Sequence, residues 1–428
     1  MEDLARRAAN AAPEVERTVF EEGKSADRAL AVLAKTWRDL TPSDVRQVAR
    51  RVQSLFRWHG WVELLGLATI EERLLVSTLL ESREVPPICR PWARSAGWDF
   101  GALFPLGDAP TWHSLVEGLR QLLGERPVSG DPWRLFPAWL REDLVSPKGH
   151  TDRKAIQLDF LRKLQTPPTS WARAQGPATK GVWDALRSLG LRPWVHRHLS
   201  SAALVGDDFD VTTLPPALSG QVEPQDLSAQ VVGHVCDPDP GERWWDVRTG
   251  TGGLARHLAA LMNERGTVVA GDTSEAKCRE AARRARKGPF RNLMTRTWDG
   301  HRVLGKPGSF HGVLVDAPCS GISAWRRHPD DRWRADARVV TDSMRTQLAL
   351  LETVIPALRP GGTLVYTVAT VTSKETEGTV AAFLDRHPEF QRDPFPNPLD
   401  GSTTDGTLWV WPGAVDSDAR FIARLTRT

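Results

Sequence analysis

Four short segments in the second half of this 428-residue chain place glycines, carboxylates and a thiol at spacings that could do chemistry. The first is Asp246-Val247-Arg248-Thr249-Gly250-Thr251-Gly252-Gly253-Leu254, between a strand-like run at Trp244–Val247 and a helix-like run at Leu254–Met262. Glycines there permit a tight turn and let a cofactor approach backbone amides at a helix N-terminus. Taken alone, an ordinary loop explains the segment equally well. The second is Asp272, at the end of the next strand-like run, where an acidic side chain can accept both hydroxyls of a ribose. A helix cap is the plainer use of such an acid, and Ser274 could cap as well. The third is Trp298-Asp299-Gly300, either a simple turn or a contact to an adenine edge. The fourth is Asp316-Ala317-Pro318-Cys319-Ser320-Gly321, which follows the apolar run Val313-Leu314-Val315 and sets a thiol beside a carboxylate. A lone half-buried cysteine is usually structural. At the C-terminal end of a strand, where open α/β sheets gather ligands, Cys319 and Asp316 instead read as candidate catalytic groups.

These segments need strands and helices in alternation, and from about Gln225 the chain supplies them. Strand-like runs at Trp244–Val247, Thr267–Ala270, Gly312–Val315 and Thr363–Val368 alternate with helix-like stretches, which predicts a doubly wound α/β sheet over 223–428. Residues 1–125 read as all-α. Apolar positions recur at helical spacing through Val45, Val48, Val52, Leu55 and Phe56, and Thr41-Pro42-Ser43-Asp44 offers an N-cap followed by an early proline. A Pro- and Gly-bearing stretch near Arg126–Pro137 marks a boundary. Residues 126–222 then read as a small α+β linker, with helices expected at Asp152–Leu164 and Gly181–Leu189 and a Pro167-Pro168 break between them.

Composition narrows the function classes. With 40% hydrophobic and 25% charged residues the chain has the make-up of a globular protein. It holds no apolar stretch near the roughly 18 residues of a membrane span and no secretory signal, so a cytoplasmic protein without a membrane partner is expected; a monomer is the separate expectation for its assembly. The cysteines Cys89, Cys236, Cys278 and Cys319 form no CxxC pair, which argues against a disulfide scaffold or a structural zinc site; no metal is expected. Net charge is only +3, but the basic residues cluster. Arg279, Arg283, Arg284, Arg286, Lys287 and Arg291 form one run, and Arg326, Arg327, Arg332, Arg334 and Arg338 another. Each could contact nucleic-acid phosphates, or be a solvated helix face.

The fourth segment, with Arg326-Arg327-His328-Pro329-Asp330 and Trp333 after it, resembles the active-site stretch of the RsmB/Nop/Sun-type RNA (cytosine-5) methyltransferases. Pro360-Gly361-Gly362-Thr363-Leu364-Val365-Tyr366 resembles that family's late strand, Phe421-Ile422-Ala423-Arg424-Leu425 its final strand, and Gln225-Asp226-Leu227-Ser228-Ala229-Gln230 the entry to its cofactor domain. Phe136-Pro137-Ala138-Trp139-Leu140 is similar to its linker, and the N-terminal helices are similar to a NusB-like RNA-binding domain. The resemblance implies a class I methyltransferase fold acting on RNA, ribosomal RNA first of all, with S-adenosylmethionine as cofactor. Asp246 and the backbone of Arg248, Thr249, Gly250, Thr251, Gly252, Gly253 and Leu254 would hold that cofactor. Asp272 would take its ribose and Asp299 its adenine region, while Asp316 would stand between cofactor and target base.

Three positions depart from the pattern. The family's nucleophilic cysteine follows the late strand in a Thr-Cys-Ser sequence; here Val368-Ala369-Thr370 stands there, with Ala369 in the cysteine's place. The lysine closing the glycine turn is Leu254, and the usual Asp-Gly-Phe-Phe is Asp418-Ala419-Arg420-Phe421. Methylating C5 of cytosine requires a thiolate to add at C6 first, and a methyl side chain cannot do this. Three alternatives stay open: Cys319 takes over as nucleophile, the methyl goes to an amine or ribose hydroxyl that needs none, or the chain binds RNA without catalysis. A nicotinamide-type dehydrogenase could share the glycine turn but leaves Asp-Ala-Pro-Cys-Ser-Gly unexplained.

Overall fold

The computed structural model describes the chain except for residues 110, 125, 146–151, 177–178, 207–208, 216–217, 219 and 289. It divides into two compact units, one of residues 1–167 with 324–337, the other of 168–323 with 338–428. These limits differ from divisions at 125/126 and 222/223. Residue 125, the expected end of the helical region, is outside the described residues. The break falls at the Pro167-Pro168 pair, and the stretch just beyond the active-site-like segment returns to the first unit.

The first unit is helical: α1 (Glu2–Phe20), α2 (Ala26–Ala34), α3 (Pro42–Val62), α4 (Ile70–Glu81), α5 (Cys89–Ala96), α6 (Trp112–Leu123), α7 (Leu140–Asp143) and α8 (Arg153–Leu164). Helix α3 starts where the sequence puts it. The Thr41 side chain accepts from the Asp44 N–H, Asp44 answers to the Thr41 N–H, and Pro42 sits in the first turn, where its missing N–H costs nothing. Its face of Val48, Val52, Leu55 and Phe56 is buried, together with Trp58 and Trp61. Part of the second basic run behaves unlike an RNA-facing surface. Arg326 and Arg332 are almost wholly buried within this unit. Arg332 donates to the carbonyls of Leu135, Leu164 and Trp325 at 3.2–3.3 Å and lies 4.7 Å over the Phe136 ring. Arg326 donates to the Thr166 and Pro167 carbonyls at 3.3 and 3.0 Å, and Arg334 pairs with Asp330 at 3.1 Å. A guanidinium can be buried when carbonyls take up its fixed fork of donors, so Arg326 and Arg332 tie backbone together and are closed to phosphate.

The second unit opens with a four-stranded antiparallel sheet: β1 (Trp171–Ala174), β2 (Trp194–Val195), β3 (Ala202–Leu204) and β4 (Val222–Pro224), in the order β2-β3-β1-β4. Helix α9 (Thr179–Ser188) packs against it. Then comes an eight-stranded sheet of β5 (Arg243–Asp246), β6 (Thr267–Asp272), β7 (Leu293–Thr297), β8 (Phe310–Asp316), β9 (Leu358–Val368), β10 (Phe390–Arg392), β11 (Thr407–Val410) and β12 (Arg420–Arg427). Its order is β10-β12-β9-β8-β5-β6-β7, with β11 paired to β12. Strands β5 to β9 pair parallel and β12 is antiparallel to β9. This is the expected class I arrangement, with order reversing between β5 and β8.

Both faces of that sheet are covered, as parallel strands require. Side chains alternate along each strand. Trp244, Leu314, Val365 and Ile422 pack on one face with α10 (Leu227–Cys236) and α11 (Gly253–Leu261). Trp245, Val313, Val315, Leu364, Tyr366 and Phe421 pack on the other with α14 (Arg338–Val354) and α15 (Thr379–Arg386). Helix α12 (Glu275–Ala285) follows β6, and α13 (Asp331–Arg334) belongs to the first unit.

Trp244 fits because its partner on β8 is Gly312; a Cβ there would lie 2.3 Å from the indole. Gly312→Ala should therefore destabilise the second unit by about 1–3 kcal/mol through overpacking, read as a lower denaturant midpoint with an unchanged slope.

Candidate active site

The candidate residues of the second unit converge on the C-terminal edge of the large sheet. Asp246 ends β5, Asp272 ends β6 and Asp316 ends β8. Asp246 is level with Ala270 on one side and Leu314 on the other, and Asp316 is level with Thr367. Strand order reverses between β5 and β8, the switch point at which loops of open α/β sheets leave in opposite directions and ligands bind.

The glycine turn is built for close approach. Gly250 and Gly252 adopt φ of +55° and +82°, a region that side chains resist. Thr249 N–H donates to the Gly271 carbonyl at 2.7 Å, and Gly250 N–H donates to Asp272 Oδ2 at 3.1 Å. The other oxygen of Asp272 accepts from Ser274 N–H at 2.9 Å, while Ser274 caps α12 itself. The cap and ribose readings of Asp272 thus involve one carboxylate, already oriented by two amides. Arg256, paired with Glu223, donates to the Thr251 carbonyl at 2.9 Å and braces the turn from behind. Leu254 packs into the core beside α10, so no cation stands where a lysine was looked for.

Asp246 is wholly buried, and neither of its oxygens finds a full hydrogen bond among the described residues; nor does the Thr249 hydroxyl. Burial drives its carboxyl up to about 7; the charges of Asp316 and Asp272 add to this, while Thr249 and the Ala255 amide oppose it. An orphaned buried carboxylate beside an open glycine turn suits a ligand bearing cationic or N–H groups, as S-adenosylmethionine does. Asp299 is exposed, and its Oδ1 accepts from the N–H groups of His301 and Arg302 at 2.9 and 2.8 Å, bonds that hold its carboxyl below the ordinary range. That is the geometry of an Asp-Gly turn.

On the other side of the switch point, Asp316 Oδ1 accepts from Arg420 at 2.8 Å. Arg420 also reaches Thr367 Oγ1 at 3.3 Å and Ser228 Oγ at 3.4 Å. Cys319 is half-buried. Burial pushes its thiol up to about 12, with the charges of Glu375 and Asp316 acting in the same direction and the backbone at Gly321 and Ala369 pulling the other way. The backbone of Ala369 therefore lies beside the Cys319 sulfur, and the Ala369 carbonyl accepts from Ser323 N–H at 3.4 Å.

Sequence reasoning missed the group that joins these two loops. Glu375 is fully buried. Its Oε1 accepts from Ser320 N–H at 2.7 Å and Gln347 Nε2 at 3.2 Å. Its Oε2 accepts from Ser320 Oγ at 2.5 Å, Thr372 Oγ1 at 2.7 Å and Thr370 Oγ1 at 3.4 Å. One carboxylate thus clamps the Cys319 loop to the loop bearing Ala369, compensated by several donors in place of a cation. No short-range pattern announces it, because its partners lie as far away as 55 residues.

Residues 234–426 match the family model described as 16S rRNA methyltransferase RsmB/F. This region belongs to the RsmB/Nop-type methyltransferase family. A relative in Synechocystis, a probable ribosomal RNA small subunit methyltransferase B, is 28% identical over 72% of this chain and 70% of its own length. The ribosomal RNA small subunit methyltransferase B of Thermus thermophilus is 38% identical over 42% of this chain and 43% of its own. The crystal structure of PH0851 superposes with a TM-score of 0.72 at 21% identity, covering 98% of each chain, a likeness of fold. The Ala369 backbone and the Cys319 sulfur lie side by side in this region, the sulfur belonging to the Pro-Cys loop.

The state of Asp246 should be visible in the stability of the ligand-free protein. The folded chain keeps this proton up to about pH 7, while the unfolded chain releases it near the ordinary 3.8. Stability present below that lower value is therefore lost as pH rises toward 7 and stays lost above it, by at most about 4 kcal/mol. Asp246→Asn should raise the melting temperature at pH 8, change it little near pH 4, and weaken S-adenosylmethionine binding. Equal melting shifts at both pH values would show that the carboxylate carries no buried charge.

Proposed function

We propose that this chain is an S-adenosylmethionine-dependent RNA methyltransferase acting on ribosomal RNA, as a monomer in the cytoplasm. The observation that carries the reading is the orphaned Asp246 carboxylate beside the glycine turn, at the switch point of a class I sheet. Asp246 and the backbone of Arg248–Leu254 would hold the cofactor, with Asp272 at its ribose and Asp299 toward its adenine. Bound there, the cofactor supplies an electrophilic methyl group on sulfonium. Asp316 and Cys319 form the reacting end, Arg420 fixes Asp316, and Glu375 sets the Cys319 loop.

The relatives in Synechocystis and Thermus thermophilus are named for small-subunit ribosomal RNA, which supports the same class of substrate here. No helix among the described residues is long and apolar enough to cross a membrane. Of the two basic runs, the first keeps more of its charges open to phosphates, since Arg326 and Arg332 of the second are buried. Arg279 pairs with Glu275, and Arg283 and Arg284 pair with Glu280, but Arg286, Lys287 and Arg291 are exposed.

Calorimetric titration with S-adenosylmethionine, followed by transfer of labelled methyl to small-subunit RNA from cells lacking the gene, tests the reading. Binding weakened at least tenfold by Asp272→Ala, together with label in RNA, is the expected result. No heat of binding and no label would refute it. RNA affinity should also fall steeply between about 50 and 200 mM salt, with a shallower slope when Arg286, Lys287 and Arg291 are all changed to Gln.

A further inference from the structure

Resting on the reading above, we propose that the methyl acceptor is an exocyclic amino nitrogen of a nucleobase and that no ring carbon is methylated.

The argument begins with what a ring carbon needs. A pyrimidine C5 is a poor nucleophile until a thiolate adds at C6, and the adduct must later lose its C5 proton and expel the sulfur. One ionised sulfur is the minimum. At Ala369 the side chain is a methyl group. Cys319 is the sulfur beside it, but burial first, and then the carboxylates Glu375 and Asp316, oppose ionisation of that thiol by more than the backbone at Gly321 and Ala369 favours it. The nearby cation, Arg420, is engaged with Asp316. The donors of Ser320, Thr370, Thr372 and Gln347 are directed to Glu375 and offer nothing to a thiolate. Low-pKa cysteines sit in electropositive surroundings, and these surroundings are the reverse. The other cysteines, Cys89, Cys236 and Cys278, are buried.

An amine needs no adduct. Its requirements are orientation against the methyl group and an acceptor for its N–H hydrogens and for the proton released. Asp316 meets them. Its side chain is 31% exposed, Oδ1 is pinned by Arg420, and Oδ2 has no protein donor among the described residues. A guanidinium does not surrender its proton, so Arg420 keeps Asp316 as a fixed acceptor; Arg420 is a positioning residue here. In the step, the amine lone pair forms the N–C bond as the methyl C–S bond breaks. S-adenosylhomocysteine departs as a neutral thioether, and the extra proton passes from nitrogen to Asp316 Oδ2 and then to water. Charge and atoms balance without a covalent bond to the protein. The features that disable cytosine-C5 chemistry, Ala369 and an un-ionised Cys319, leave this route untouched.

Three measurements on the full-length protein test the inference. Small-subunit RNA from cells lacking the gene, incubated with methyl-labelled S-adenosylmethionine and digested to nucleosides, should yield an N-methylated base by mass spectrometry. RNA carrying 5-fluorocytidine should give no band of protein–RNA adduct on a denaturing gel. Without the cofactor, iodoacetamide at pH 8 should alkylate Cys319 about a thousandfold more slowly than an ordinary thiol, the ratio set by thiolate fractions at a thiol pushed to about 12. Labelled 5-methylcytidine, a fluorocytidine adduct, or rapid alkylation of Cys319 would overturn the inference while leaving an RNA methyltransferase in place. Absence of label from any nucleoside would instead defeat the methyltransferase reading, and this inference with it.

Discussion

The site depends on one constraint, the level parallel pairing of β5 with β8 where strand order reverses. Backbone hydrogen bonds set Asp246 beside Leu314 and carry the chain on from Val247, whose N–H donates to the Leu314 carbonyl. Because side chains alternate along these strands, the same register sends Trp244 and Trp245 into opposite cores. A slip of one residue would exchange the two tryptophans and carry Asp246 away from the glycine turn. The large aromatic residues therefore do more than fill space. With Gly312 notched against Trp244, they lock the register that puts three carboxylates along one edge.

Those carboxylates live in different surroundings, and each surrounding suggests a different task. Asp246 is buried with only the Thr249 hydroxyl and the Ala255 amide nearby, neither in full hydrogen-bond geometry, and is costly until a ligand supplies a better donor. Asp272 is satisfied by two backbone amides and needs nothing more to stay in place. Asp316 is half-open and tethered by a guanidinium. Glu375, deeper in, is surrounded by hydroxyl and amide donors and behaves as a structural bolt. A pocket for a positively charged methyl donor benefits from this negative field, whereas a thiolate nucleophile is penalised by it. The same electrostatics that favour the cofactor thus oppose cysteine catalysis. Arg420, in the place of an aromatic residue, holds Asp316 in position through one of its two oxygens.

In the helical unit, charge is used for a different purpose. Arg326 and Arg332 disappear into carbonyl cages, and Asp330 accepts from the Ala26 N–H at 2.9 Å while pairing with Arg334. His328 and Asp27 pair at 2.6 Å, each shifting the other toward its charged form. A run of arginines that reads as a surface on paper is here a set of internal clasps. Burial of both the cation and its acceptors is what decides between the two, and burial is a property of the folded unit.

Local chemistry was enough to show much of this from sequence. Helix α3 begins at Thr41 because the cap, the early proline and the apolar period all lie within one short window. The alternation of strands and helices, the glycine turn and the Pro-Cys segment are likewise local, so the class I sheet and the carboxylates at its edge could be named in advance. Three things could not be read this way. The fate of Arg326 and Arg332 depends on carbonyls more than a hundred residues distant. Glu375 gains meaning only when β8 and β9 lie side by side and bring Ser320 to it. The Arg420–Asp316 pair joins the last strand to the end of β8, 104 residues earlier. Sequence specifies which groups are present and which short segments turn or coil; long-range packing decides which charges meet, and so what each of them is able to do.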